Sequence, residues 1–178
     1  MRKGPVDAGG NGTEPASQVH PDDRKVVAGQ IGREPRALAS IATRCVFGYP
    51  AVTRQHASDE SGARFPTGWY LTCPHLVRQI DRLEADGGVQ RWERIVAEEP
   101  GGGLAQSLDT AHQSHADSHD GARIAGAGDG VHLKCLHAHA AYALAGNEHP
   151  VGEMVVAEAS PRWCSGALCA RHVSASPS

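Results

Sequence analysis

Five cysteines and eleven histidines are the residues of this 178-residue chain with the most specific chemistry. The segment VHLKCLHAHAAYALAG over 131–146 carries most of the argument. Its Ala and Leu content predicts a helix that stops at Gly146-Asn147. On such a helix Cys135 and His139 share one face, and His132, one turn before Cys135, can join them. His137 does not share it: two positions turn about 200°, which sets it roughly 160° from His139. Cys45 and Cys73 fall where short strands end or turn. If those strands pack against the helix, Cys45, Cys73, Cys135 and His139 (or His137 in its place) make a Cys₃His set, a composition that suits tetrahedral zinc. The plainer alternative treats the same cysteines as small apolar side chains of a type often buried, with His139 at the edge of the core.

Other patterns point less far. His112, His115 and His119 fall on one helical face, a spacing a metal can use. Asp109, Ser114, Asp117, Ser118 and Asp120 surround them, so a solvated polar stripe is the expectation. Cys164 and Cys169 sit in a tail outside the main cluster. Gly126-Ala127-Gly128-Asp129-Gly130 precedes a helix, as an anion-cradling loop would. It lacks the P-loop pattern and a preceding strand, and reads as a flexible loop. No G-x-S-x-G is present. Cys135 with a histidine is the pair available for thiol nucleophilic chemistry. Asp81 and Glu84 lie on the polar side of their helix, where solvation accounts for them.

The elements that must position these residues follow from periodicity. Residues 41–55 read as two strands around a Gly48-Tyr49-Pro50 turn, and 69–73 as a third short strand. A helix is predicted from Asp23 to about Gln30, capped by Asp22 or Asp23. Leu76, Ile80 and Leu83 mark a helix over 74–88, with Pro74 in its first turn and Gly87 at its end. Val89, Trp92 and Val96 mark another over 89–100, and 104–120 forms a third with a thin apolar stripe. Residues 151–160 form a last helix or strand. The prediction is an α+β fold: one domain, with a small N-terminal antiparallel hairpin or sheet packed on a mostly helical remainder. Segments 1–22 and 170–178 carry too little apolar surface to offset the entropy of ordering, which leaves 23–169 as the folded body.

Composition excludes several function classes. The formal net charge is −3, without a basic block, which argues against a nucleic-acid partner. Arg78, Arg82, Arg91 and Arg94 read as a solvated helix face. No run of about 18 apolar residues exists to span a membrane. Arg2 and Lys3 have no apolar stretch behind them, so no secretory signal is read. The expectation is a cytoplasmic protein with reduced thiols, which suits free or metal-bound cysteines better than disulfides.

Four blocks in order carry a resemblance: GREPRA (32–37), RCVFGYPAV (44–52), FPTGWYLTCPHL (65–76) with RLEADGG (82–88), and KCLHAHAAYALAGNEHPVG (134–152). Over about residues 28–155 the chain resembles the bacterial domain of unknown function 501 family. The family's characteristic Cys and His positions fall on Cys45, Cys73, Cys135, His137 and His139, and no activity is established for it. The chain departs from the family's Arg- and Tyr-bearing helix at 111–120, which is rich in His and Asp here.

Three functions remain in view. The first is a binding or regulatory domain holding zinc through Cys45, Cys73, Cys135 and His139 or His137. The second is an enzyme of hydrolytic type, using Cys135 or a metal-bound water as nucleophile. The third is a metal-free interaction protein with packing cysteines and a protein partner.

Overall fold

The computed structural model describes residues 19–128 and 130–173. The expectation of disorder for 1–18 and 174–178, and the Asp129 position of the Gly-rich loop, lie outside them. The fold is α+β, with a three-stranded antiparallel sheet near the N-terminus and helices after it.

Helix α1 spans Pro21–Ile31. It begins earlier than expected, because His20 rather than an aspartate is the cap. The His20 ring accepts from the Asp22 amide at 3.3 Å, and the Asp23 carboxylate accepts from the His20 amide at 3.0 Å. This reciprocal capping box satisfies two otherwise unpaired helix-end amides. The Asp23 carboxylate also receives both terminal nitrogens of Arg44, at 2.7 and 2.9 Å. That hydrogen bond holds its carboxyl below the usual range and ties α1 to the sheet.

Strands β1 (Leu38–Arg44), β2 (Pro50–Gln55) and β3 (Trp69–Leu71) pair in sequence order. The β1–β2 turn needs a left-handed residue and has Gly48 there, at φ 81°. Val27 of α1 packs with Leu38 and Ile41 of β1. The central strand is closed on both faces: Ala51, Val52 and Thr53 are all buried.

Helices α2 (Pro74–Ala85) and α3 (Gly88–Glu98) follow, and both present the expected apolar stripe: Leu76 and Ile80 from one, Trp92 and Val96 from the other. Then come α4 (Gly103–Ser118), α5 (Leu136–Leu144) and α6 (Pro150–Glu158). Single 3₁₀ turns lie at Ile124–Gly126 and Leu168–His172. The α5 alanines Ala140 and Ala141 let it sit closely against its neighbours in the core. Gly152 of α6 is required by this approach, since a Cβ there would stand 2.5 Å from the His139 carbonyl oxygen. Thr43 Oγ1 donates to the Leu144 carbonyl at 2.6 Å and joins sheet to α5. Glu158 joins α6 to α3 by accepting from Trp92 Nε1 and Arg91.

Two expectations are corrected here. The helix predicted over 131–146 starts at Leu136, not at Val131. Lys134 is left-handed at φ 61° and Cys135 is extended. Carboxylates of neighbouring helices stabilise this irregular entry: Glu93 takes the Leu133 amide at 2.9 Å and Glu84 the Leu136 amide at 2.6 Å. The His112, His115 and His119 stripe is also not solvated, for all three are buried. These rings turn inward, while Asp109, Asp117 and Asp120 beside them are exposed. His115 spans from the Ala122 carbonyl (2.6 Å) to the Gly68 amide (3.3 Å), and His119 reaches the Phe65 carbonyl at 2.7 Å. Both clasp the loop between β2 and β3. Trp69 packs edge-on against Tyr142 and beside His115, with the Arg54 guanidinium 4.0 Å above its ring.

Candidate metal centre

The entry into α5 determines which side chains meet. Cys135 caps the helix and His137 lies in its first turn, so both project toward α2. Cys135 Sγ is 3.7 Å from His137 Nδ1. The same ring nitrogen is 3.2 Å from Glu84 Oε1, while Nε2 is 3.2 Å from Asp81 Oδ1 and 3.2 Å from the Val77 carbonyl. One donor atom each from Glu84, Cys135 and His137 lies within 4.8 Å of the others, so the three could hold a metal ion. All three residues are half-buried.

The electrostatics fit that geometry. Burial pulls the His137 imidazole down, but the hydrogen bond and charge of Cys135, followed by the charge of Glu84, outweigh it and raise it to about 9. The surroundings therefore favour the charged form of the ring. Cys135 and His137 also line a pocket of about 410 Å³ with Trp69, Tyr70, Leu71 and Val77. Among the described residues no Asp, Glu, Lys or Arg lines it, so it suits an uncharged, largely apolar ligand.

The five residues singled out from the sequence fall in three places. Cys135 and His137 come together, joined by Glu84. His139 points the other way, into the core, where it is fully buried. Its Nε2 is 2.9 Å from the Leu133 carbonyl and its Nδ1 is 2.7 Å from His149 Nε2. The carbonyl can only accept, which assigns Nε2–H to His139 and makes its Nδ1 accept from His149 Nε2–H. His149 Nδ1 is then left without a partner among the described residues. Cys45, just past β1, and Cys73, the N-cap of α2, lie in a third place with Cys164 and Cys169. Cys45, Cys73, Cys135 and His139 thus do not form one donor group among the described residues.

Glu84 and Asp81 are the residues that sequence reasoning passed over. They face the α5 entry from adjacent turns of α2. Their spacing was visible, but the docking of α2 beside residue 135 was not.

No curated protein and no solved structure matches the chain. A family model described as a protein of unknown function, DUF501, matches residues 41–125 and 118–157. Those ranges take in β2, β3 and the second half of β1, all of α2 to α5, and the cluster of Glu84, Cys135 and His137. The chain belongs to the DUF501 family.

Proposed function

We propose that the protein binds zinc through Glu84, Cys135 and His137, with a fourth position left open toward the apolar pocket. The convergence of one carboxylate, one thiol and one imidazole within 4.8 Å carries this reading. A mixed O, S and N set is one that zinc accepts, and three protein ligands with an open position distinguish sites that act on a substrate from closed structural ones. Asp81 supplies a further argument. A ligating histidine usually gives its other ring N–H to a carboxylate, which fixes the ring and strengthens the ligand. His137 Nε2 is 3.2 Å from Asp81 in this way, leaving Nδ1 for the ion. A zinc ion there would supply Lewis acidity and a water acidified toward neutral pH, the basis of hydrolytic chemistry. Trp69, Tyr70 and Val77 would hold an apolar substrate portion beside it.

Zinc titration of metal-free protein, followed calorimetrically, tests the reading. Asp81→Asn is expected to weaken the site about 10–100-fold, as loss of such a supporting carboxylate does. An unchanged binding isotherm would remove the assignment of Asp81 and His137.

One observation favours a second reading. Cys135 Sγ, His137 and Asp81 lie in the order of a thiol nucleophile, its base and the base's orienting carboxylate. Protein that is metal-free as purified, with Cys135 alkylation that slows in His137→Ala, would favour thiol chemistry over zinc.

A further inference from the structure

Four of the five cysteines gather at one place that the site above does not use. Cys45 follows β1, Cys73 caps α2, and Cys164 and Cys169 come from the segment after α6. All four are free thiols and line one pocket of about 10 Å³, the space of a single water or ion. The rest of the lining includes Tyr49, Pro50 and His75, with no Asp, Glu, Lys or Arg among the described residues. No charged side chain competes with an ion there, and the donor set is almost entirely sulfur.

Two of these sulfurs are nearly closed off from solvent. Cys73 and Cys169 are only 5% and 6% exposed. Backbone amides of Leu76 and His75 hydrogen-bond to the Cys73 sulfur. Gln30 Nε2 donates to Cys169 Sγ at 3.2 Å, the type of bond that supports a metal-bound sulfur.

The chain around Cys164 gives the reason for such an ion. Between the end of α6 at Glu158 and the 3₁₀ turn starting at Leu168 there is no regular element. This stretch nevertheless lies against the β1–β2 turn and the start of α2. We propose that Cys45, Cys73, Cys164 and Cys169 bind a structural zinc ion that fastens the 160–172 segment to the sheet. No three of the four sulfurs lie mutually within 4.8 Å, whereas Zn–S bonds of about 2.3 Å set sulfurs roughly 3.8 Å apart. Binding therefore draws the irregular segment inward. The site uses none of the residues proposed above and stands or falls separately.

Two measurements test it. Protein purified under reducing conditions is alkylated with iodoacetamide, with and without a strong zinc chelator, and the modified cysteines are located by mass spectrometry. Cys164 and Cys169 are expected to resist until the chelator is added. Equal labelling with and without chelator overturns the proposal, as does protection that only stronger reductant relieves, which marks a disulfide. In a Cys135→Ala/His137→Ala variant, about one zinc per chain is expected to remain, with sulfur neighbours at about 2.3 Å by X-ray absorption. A zinc-free variant that stays folded overturns it.

Discussion

Acidification from pH 7 to pH 5 should unfold this protein through the histidines of its interior. His112, His115 and His149 are 0%, 2% and 0% exposed. Burial, which disfavours the charged ring, lowers each from 6.5 to about 4. Arg123 beside His112, and His119 and Arg54 beside His115, push the same way. A depressed histidine is neutral in the fold while the unfolded chain takes up its proton. Stability is therefore full above pH 6.5 and is lost as pH falls toward 4. From pH 7 to pH 5 each of the three costs about 2 kcal/mol, or ~6 kcal/mol together, by proton linkage. His139 and His119, also lowered by burial, add to this. His137, raised to about 9, works in the opposite direction, and its gain over the same interval is only about 1 kcal/mol. Since domains are typically stable by only about 5–15 kcal/mol, the loss is comparable with the whole. Urea unfolding followed by circular dichroism at half-unit pH steps measures it. The unfolding free energy should fall steeply below pH 6.5, with up to about three protons taken up per chain unfolded. A stability flat or rising from pH 7 to pH 5 would refute the reasoning.

Other outcomes follow from the same contacts. Among the described residues neither ring nitrogen of His112 makes a close hydrogen bond, with only a weak approach to the His132 backbone, so His112→Leu removes a buried polar group at little cost to its neighbours. Its stability at pH 7 should be equal or higher by about 1 kcal/mol, with a shallower acid slope in the same urea series. Zinc affinity at the Glu84–Cys135–His137 site should rise at least tenfold per pH unit from pH 7 toward 9. The ion must displace the proton that His137, raised to about 9, carries through that range. Competition against a chelator indicator at fixed free zinc checks the slope, and a pH-independent affinity would exclude His137 as ligand. Asp81→Asn should leave the urea midpoint nearly unchanged while weakening zinc, because Asp81 is exposed and acts on the ring rather than on the core.

The sheet and most helices were legible because local rules and tertiary packing agree there. Pro74 opens α2, Gly48 turns the hairpin, and Leu76, Ile80, Trp92 and Val96 point inward as their spacing requires. The site was legible only in part. Helix geometry correctly separates His137 from His139. Yet Cys135 was placed on a helical face because nothing local reveals Glu84 and Glu93 holding the extended entry to α5. The α4 histidines were misread for a related reason. His112, His115 and His119 look solvated beside their aspartates, but backbone carbonyls of Ala122 and Phe65 receive two of those rings inside the fold. Partners contributed by main chain of distant segments leave no mark in residue spacing. The gathering of Cys45 and Cys73 with Cys164 and Cys169 likewise depends on the path of an irregular tail.

Zinc content of the wild-type protein against a Cys135→Ala/His137→Ala variant, measured by inductively coupled plasma mass spectrometry after equal purification, addresses the central claim most directly. The account predicts that the variant keeps its circular dichroism spectrum and carries about one zinc per chain fewer than the wild type. Equal zinc content in the two proteins, or a wild type without zinc, would contradict it.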